Sequence, residues 1–319
     1  MTRPVAVRAP GKINLYLAVG PARPDGFHPL ATVFQAVSIY DDILAEPAPS
    51  GFHLTMGGRG RDLPCDDSNL AIRAARAVAE AAGITSGVRL HIEKRIPVAG
   101  GMAGGSADAA GTLVACREMW QADLTDQDLH AIAADLGSDV PFCLHGGTAV
   151  GYGRGEELTP TLCRERSHYL LAIMEEGLST PAVFREFDAQ TADAPEPAIA
   201  PAFLQALAQG DNTMVSYLAR NDLAGPAATL HEGVRRISRF FCSSALQVMV
   251  SGSGPTLVGF VDTPARGALL QARLSQQPGV ADALMVHGPV AGIEHIDPAP
   301  LIQARDANHP VLRCIEGAQ

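Results

Sequence analysis

Alternating apolar and polar positions predict a series of strands in the first third of the chain. In residues 13–19, Ile13, Leu15 and Leu17 alternate with the polar Asn14, which is the period-two pattern of a half-buried strand. The same criterion predicts further strands over residues 5–9, 30–40, 43–46, 52–56, 88–93, 169–174, 246–250, 256–261 and 283–286.

Helical periodicity and capping residues predict helices between these strands. Thr125 is suited to cap a helix over 125–136, and Gly83 is suited to end one that starts near Ser68. A helix over 107–120 has Ser106 and Asp108 near its start, and others are predicted over 180–187, 201–209, 212–220, 226–240 and 265–275. Strands grouped early, with helices interspersed, indicate an α+β fold more than a regular βαβ series.

Residues 97–107, here called the glycine loop, lie between the strand at 88–93 and the helix at 107–120. They hold four glycines within residues 100–105. Glycine lets the backbone approach an anion, and the N–H groups and dipole of a helix N-terminus favour negative charge. Strand, glycine loop and helix therefore favour phosphate binding, although such a loop alone is equally compatible with a flexible turn. Neither the Walker pattern nor the dinucleotide spacing is present.

Composition excludes several classes of protein. The chain has 319 residues, of which 47% are apolar and 18% are charged, enough for two packed domains and too few charges for a disordered chain. A net charge of −10 argues against a nucleic-acid or anionic-membrane binder, so an anionic substrate needs locally placed cations. No long apolar run or signal core is visible, and we expect a cytoplasmic protein without a membrane span.

The cysteines do not predict a metal or disulfide site. Six are scattered along the chain, without a C-x-x-C pair or a cluster of metal-binding spacing. They are typical of buried or incidental thiols in a reducing compartment.

A polar stretch near residues 160–167 predicts a domain boundary. The expected organisation is an N-terminal domain over 1–163, a C-terminal domain over 164–290, and a tail over 291–319. The weak patterning of that tail allows partial disorder.

Three separated motifs resemble the signature of the GHMP kinases: residues 10–15, the glycine loop, and Ser-Gly-Ser-Gly-Pro at 251–255. The match sharpens at residues 9–17, 24–28, 136–142 and 179–180. These segments resemble the branch of that superfamily that phosphorylates 4-(cytidine 5'-diphospho)-2-C-methyl-D-erythritol, an intermediate of non-mevalonate isoprenoid synthesis. The resemblance covers roughly residues 5–290, with the motifs in the expected order.

The resemblance implies a two-domain fold that binds ATP and substrate in the cleft between domains. It implies transfer of the ATP γ-phosphate to the substrate 2-hydroxyl, with Asp139 as the base and Lys12 balancing charge beside it. Without the resemblance, Lys12 is typical of a solvated lysine and Asp139 of a carboxylate in a turn.

The resemblance also assigns the nucleotide site. The ATP-binding residues it implies are Pro97, Val98, Ala99, Gly100, Gly101, Met102, Ala103, Gly104, Gly105, Ser106 and Ala107. ATP chemistry needs Mg²⁺, held mainly by phosphate oxygens and waters. Ser106 is a candidate contact for that ion, and the alternative is that it only caps the helix.

The substrate-binding residues implied by the resemblance are Asn14, Phe27, His28, Asp139, Thr180 and Phe184. His28 would read the cytosine edge, Phe27 and Phe184 would stack on the base, and Asn14 would bond the sugar alcohol. Without the resemblance, His28 is typical of a loop histidine and Phe184 of core packing.

The chain departs from the family pattern at several positions. Phe27 replaces a tyrosine, so a hydroxyl is lost while a stacking ring remains. Ala103 and Ala107 replace a glycine and a serine in the glycine loop. Glu175 and Glu176 precede the 179–180 motif, and we expect their carboxylates to face solvent because they would repel a diphosphate.

Two alternatives remain open at this stage. Another small-molecule GHMP kinase, of the mevalonate or homoserine type, is disfavoured by the 24–28 motif because those acceptors carry no base. A non-catalytic nucleotide-binding sensor on the same fold is disfavoured by the presence of both Lys12 and Asp139. The expected partner is a small-molecule substrate, with the protein a monomer or homodimer.

Overall fold

The computed structural model describes residues 3–308 and contains two sheets flanked by helices. The strands are β1 (Val5–Val19), β2 (Leu30–Ala48), β3 (Phe52–Gly58), β4 (Gly87–Lys94), β5 (Thr148–Tyr152), β6 (Glu157–Pro160), β7 (Ser167–Met174), β8 (Arg220–Asn221), β9 (Val248–Val250), β10 (Leu257–Val261), β11 (Val280–Gly288) and β12 (Glu294–Ile296). The helices are α1 (Leu70–Ala81), α2 (Gly104–Trp120), α3 (Asp126–Leu136), α4 (Val140–His145), α5 (Thr180–Gln190), α6 (Pro201–Gln209), α7 (Asn212–Leu218), α8 (Ala224–Leu230), α9 (Glu232–Ser243), α10 (Pro264–Leu274) and α11 (Ala299–Asn308).

The first sheet has the strand order β12-β1-β2-β4-β3, with β5 and β6 extending from β2 and β8 pairing with β1. Its central strands are longer than predicted. The predicted strands 5–9 and 13–19 form one strand, β1, which continues through a register shift between Pro10 and Gly11. A bulge tolerates the missing N–H of proline, so Pro10 interrupts the hydrogen-bonding register without ending the strand. Likewise, 30–40 and 43–46 form the single strand β2.

Helix α2 packs on this sheet and is buried along most of its length. Small residues allow the close approach. A Cβ added at Gly111 would lie 2.6 Å from Ile43 Cδ1, closer than side chains pack. The helix starts three residues earlier than predicted, at Gly104. Its packing holds residues 97–103 of the glycine loop, which precede the helix, against β1.

The second sheet has the order β11-β7-β10-β9 and forms a separate apolar core with α9 and α10. The chain passes from the first sheet to the second between β6 and β7, then returns for β8 and β12. The predicted helix 226–240 is two helices, α8 and α9. They are separated by His231, whose backbone is extended and whose side chain accepts a hydrogen bond from Val234 N.

The end of the described chain is more regular than its pattern suggests. Within the predicted tail, β12 pairs antiparallel with β1, and Leu301 of α11 packs against Ala6 and Leu44. Residues 309–319 of that tail lie outside the described residues, as does Cys314. Among residues 3–308, no helix has the length and apolar character needed to cross a membrane.

Candidate active site

The glycine loop follows β4, forms a turn and enters the first turn of α2, as predicted from its neighbours. It forms one wall of a cavity of about 390 Å³. The other lining residues, which the sequence did not indicate, are Leu63, Pro64, Ser68, Asn69, Leu70, Lys94 and Asp108. The first N–H groups of α2 have no intrahelical partner, so this end of the helix is suited to an anion.

Two positions in the glycine loop hold alanine where the backbone favours glycine. Ala99 has φ 51°, and Ala103, the N-cap of α2, has φ 57° and ψ 34°. The left-handed region costs an L-residue about 1–2 kcal/mol. The replacement of the family glycine by Ala103 therefore stores strain at the start of the helix.

We expect Ala103→Gly to raise the free energy of unfolding by about 0.5–1 kcal/mol, because the relieved strain exceeds the added unfolded-chain entropy of about 0.4–1 kcal/mol. Urea denaturation measures this. The matched control is Ala131→Gly, in the exposed middle of α3, where the same change should lower stability by about 0.5–1 kcal/mol. A loss of stability in both variants would contradict the strain at Ala103.

Ser106 and Ala107 lie inside α2 and are not among the residues lining either cavity described here. The interpretation of Ser106 as the helix cap is wrong, because the N-cap is Ala103 and no side chain caps the helix. The N-cap lies three residues before Ser106, because Ala103 adopts the left-handed conformation and the helix begins directly after it, at Gly104. Contact of Ser106 with a magnesium ion stays a prediction.

The three motifs that are separated in the sequence meet in the structure. Lys12 N donates to Met102 O at 3.2 Å, which joins β1 to the glycine loop. Ser251 Oγ donates to Gly101 O at 2.9 Å, which joins the 251–255 turn to the same loop. Asn221, which the sequence did not indicate, holds that turn by donating to Val250 O and Gly252 O, both at 2.7 Å.

A second, larger cavity of about 880 Å³ adjoins the first. The predicted catalytic and substrate residues all line it: Lys12, Asn14, Phe27, His28, Asp139, Thr180 and Phe184. Gly101 and Ala103 line both cavities. The two cavities therefore adjoin at the glycine loop.

Lys12 and Asp139 form an ion pair in the larger cavity, whose lining shares Gly101 and Ala103 with that of the smaller one. Lys12 Nζ lies 3.6 Å from Asp139 Oδ2, which is an ionic contact longer than a hydrogen bond. The Lys12 side chain is 5% exposed and that of Asp139 is 30% exposed, so the carboxylate is accessible to a ligand while the ammonium is held by protein. The Phe34 ring, 5.0 Å from Nζ, adds a cation–π contact.

Asn14 orients this lysine. Its Oδ1 accepts a hydrogen bond from Lys12 Nζ at 2.8 Å, and its Nδ2 donates to Thr32 Oγ1 at 2.8 Å. Thr32 in turn donates to Tyr16 O at 2.7 Å. Two strands therefore fix the position of the ammonium, a function of Asn14 that sequence reasoning missed.

The far end of the larger cavity is aromatic and basic. The His28 and Phe184 rings lie 4.9 Å apart between centroids, and Phe27 is 51% exposed beneath the Arg154 guanidinium. Arg185 also lines this end. Exposed aromatic faces beside cations suit an aromatic base joined to an anion.

Thr180 lines the larger cavity, whereas Glu175 and Glu176, a few residues earlier, do not. Thr180 Oγ1 lies 2.7 Å from Ser253 Oγ, which ties α5 to the 251–255 turn at the cavity wall. The carboxylates of Glu175 and Glu176 are exposed and outside the cavity lining. The prediction that these two side chains face solvent is confirmed.

Beneath the glycine loop lies a buried charge cluster that the sequence did not indicate. Lys94 Nζ donates to Asp41 Oδ2 at 2.6 Å and to Asp108 Oδ2 at 2.7 Å. Asp41 Oδ1 also accepts from the backbone N–H groups of Arg95 and Ile96. Because Asp108 lies on α2 and Lys94 ends β4, this cluster holds the strand and the helix on either side of the loop.

Burial and charge act in opposite directions in this cluster. Burial alone would lower the pKa of Lys94, but the Asp108 and Asp41 carboxylates outweigh it and raise that pKa. Burial holds the pKa of Asp108 well above its usual range; Lys94 opposes this shift and Asp41 adds to it. Among the described residues, Asp108 Oδ1 has no hydrogen-bond partner.

The cysteines take no part in either cavity's lining within residues 3–308. Cys116 and Cys143 are buried, and burial raises the pKa of both thiols. These two are inert core residues, as expected.

Comparison with known proteins identifies relatives of the whole chain. Residues 69–147 match the model of the GHMP kinases N terminal domain. The 4-diphosphocytidyl-2-C-methyl-D-erythritol kinase of Mycolicibacterium smegmatis is 48% identical, over 94% of this chain and 94% of the relative. The enzyme of the same name from Rhodococcus jostii is 47% identical, over 93% and 96%.

Solved structures confirm the predicted α+β fold of the GHMP kinases. A crystal structure of 4-(cytidine 5'-diphospho)-2C-methyl-D-erythritol kinase superposes with a TM-score of 0.74 at 34% identity, covering 88% of this chain and 98% of that one. Homoserine kinase from Cytophaga hutchinsonii gives a TM-score of 0.72 at 15% identity, covering 93% and 98%, and so shares the fold. The two relatives and the crystal structure at 34% identity show that the chain belongs to the 4-diphosphocytidyl-2-C-methyl-D-erythritol kinase family, whose members are ATP-using GHMP kinases.

Proposed function

We propose that the protein transfers the γ-phosphate of ATP to the 2-hydroxyl of 4-(cytidine 5'-diphospho)-2-C-methyl-D-erythritol, a step of non-mevalonate isoprenoid precursor synthesis. The observation that carries this proposal is the Lys12–Asp139 pair, 3.6 Å apart. That pair lies in the cavity that can hold an acceptor, which shares Gly101 and Ala103 with the glycine-loop cavity. ATP phosphates in the glycine-loop cavity and a hydroxyl in the larger one would meet at this pair.

The chemistry of the pair follows from its geometry. The substrate oxygen attacks the γ-phosphorus, the bond from that phosphorus to the ADP oxygen breaks, and the hydroxyl proton passes to the Asp139 carboxylate. Lys12, held by Asn14, places a fixed positive charge beside the transferring group. Phosphoryl transfer depends mainly on such positioning and charge stabilisation.

The residues present suit a magnesium ion that arrives with ATP. Phosphate oxygens and waters supply most ligands of Mg²⁺ in nucleotide sites, so few protein ligands are needed. The Ser106 hydroxyl in the first turn of α2 is the candidate protein ligand, and Asp139 is left free to take up the hydroxyl proton. The ion, when bound, neutralises charge that develops on the phosphates.

The larger cavity matches the other parts of the proposed substrate. Phe27 and Phe184 offer faces for the cytosine, and His28 offers a ring nitrogen to its edge. Arg154 and Arg185 supply local cations for the diphosphate, which the net charge of −10 requires. Asn14 and Thr180 remain candidates for the sugar alcohol.

An ADP-release assay with ATP and Mg²⁺ tests this proposal against its alternatives. We expect turnover with the cytidine diphosphate sugar alcohol and none with mevalonate or homoserine, and ³¹P NMR should locate the new phosphate on the 2-hydroxyl. Turnover only with a smaller acceptor would contradict the cytosine assignment. ATP binding without any turnover would favour a sensor.

We also propose a cytoplasmic location and a monomeric or homodimeric state. The composition and the small-molecule substrate support this proposal, and light scattering of the purified protein measures the oligomeric state.

A further inference from the structure

His28 is held in one orientation by residues of α5. Its Nε2 lies 2.8 Å from Asp188 Oδ1. Its ring centroid lies 4.9 Å from that of Phe184 and 6.0 Å from that of Phe187, the latter edge-on. The His28 side chain is 6% exposed, so it has little freedom to turn. A side chain from the 24–29 loop is therefore locked by a helix far along the chain.

The contact with Asp188 decides which nitrogen of His28 carries the proton. An ionised carboxylate accepts hydrogen bonds and donates none, so Nε2 must be the donor. In the neutral ring, Nδ1 then carries a lone pair and acts as an acceptor. Within the described residues, Nδ1 makes no hydrogen bond of its own, and His28 lines the larger cavity.

Cytosine and uracil present opposite groups at the same position of the base edge. Cytosine carries an exocyclic amine, a donor, where uracil carries a carbonyl oxygen, an acceptor. A lone pair on His28 Nδ1 accepts from the amine and repels the oxygen.

We propose that Asp188 is a positioning residue that sets base specificity. By fixing the His28 proton on Nε2, it presents Nδ1 as an acceptor for the cytosine amine. This inference rests on the proposed function, since it takes the acceptor to carry a pyrimidine in the larger cavity. One matched polar contact discriminates bases by roughly 1–3 kcal/mol, or about 5- to 150-fold.

The test compares the cytidine substrate with its uridine counterpart. In the unaltered enzyme, we expect kcat/KM to favour cytidine by roughly 5- to 150-fold. Asp188→Asn introduces an amide that can donate to Nε2, which stabilises the opposite tautomer and makes Nδ1 a donor. In this variant the ratio of kcat/KM values should fall to near one or favour uridine. The change should appear in KM, while kcat changes little.

Asp193→Asn is the matched control. Asp193 follows α5, is exposed and forms no ion pair or hydrogen bond within residues 3–308, so the same charge change should leave selectivity unaltered. If Asp188→Asn lowered kcat/KM for both substrates by the same factor, the specificity role would be overturned. It would leave only a structural one.

Nitrogen-15 NMR of histidine-labelled enzyme gives a readout independent of turnover. The resonances of His28, assigned by their loss in His28→Gln, should show a protonated Nε2 and an unprotonated Nδ1, with the reverse in Asp188→Asn. An unprotonated Nε2 in the unaltered enzyme, or a doubly protonated ring, would overturn the inference. If the unaltered enzyme phosphorylated neither nucleotide substrate, the proposed function would be contradicted, and the proposed base selectivity as well. The NMR spectrum would still show which nitrogen of His28 is protonated.

Discussion

Asp139→Asn is expected to lower kcat by roughly 10²- to 10⁴-fold, the range for removal of a positioned general base. The carboxamide has nearly the same shape, but it does not take up the hydroxyl proton, and it loses the charge that faces Lys12 at 3.6 Å. ATP affinity should be retained, because the glycine loop and the start of α2 are untouched. Steady-state kinetics and calorimetric titration with ATP measure the two effects.

Asp135→Asn provides the matched control. Asp135 lines the same cavity four residues earlier but is exposed, and it forms no ion pair among the described side chains. We expect its kcat to stay near that of the unaltered enzyme. Full turnover in Asp139→Asn would refute the base assignment, whereas an equal loss in both variants would indicate a nonspecific effect of cavity charge.

Lys94→Met is expected to lower the free energy of unfolding by about 3–5 kcal/mol, the usual cost of breaking a buried ion pair. The substitution leaves Asp41 and Asp108 without the ammonium that both contact, at 2.6 and 2.7 Å, in an interior where each is at most 4% exposed. The strand and the helix that carry the glycine loop lose their shared anchor. Urea denaturation at neutral pH measures the loss.

The neighbouring Arg95→Met is the control for this prediction. Arg95 pairs with Asp42 at 2.7 Å, but the Arg95 side chain is 53% exposed. Arg8 Nε, 3.6 Å from the buried Asp42 carboxylate, still faces that charge after the substitution, so the loss should be about 0.2–1 kcal/mol. The double variant Lys94→Met/Asp108→Asn should be more stable than the sum of the single changes predicts, since it removes a buried carboxyl group that Lys94→Met leaves without its partner. A loss below about 1 kcal/mol in Lys94→Met would contradict a charged, buried cluster.

Local patterns predicted most of the elements that carry the site. The glycine loop between β4 and α2, the capped start of α3 and the alternation in β1 are encoded within a few residues, so sequence reasoning located them. The errors arose where a local signal competed with packing. Pro10 indicates the end of a strand, yet the pairing of β1 with β2 on both sides of the bulge keeps the strand continuous.

The identities of the site residues were also accessible, but only through several motifs taken together. Lys12, Asp139 or His28 alone has an ordinary structural explanation. Their joint occurrence, in order, resembles one family, and the structure brings them to one cavity. Their individual roles stay predictions that the variants above test.

By itself, the sequence determined the kinds of chemistry available and the short segments that present them: a glycine loop suited to phosphate, a lysine on a strand, an aspartate in a turn, and an aromatic residue beside a histidine. Only the tertiary structure decided which of these groups face one another. Lys12 meets Asp139, Asp188 fixes His28, and Lys94 joins Asp41 to Asp108 across separate elements. The reason is physical: strand and helix periodicity depend on neighbours along the chain, whereas these distances depend on how the sheets and helices pack their apolar faces together.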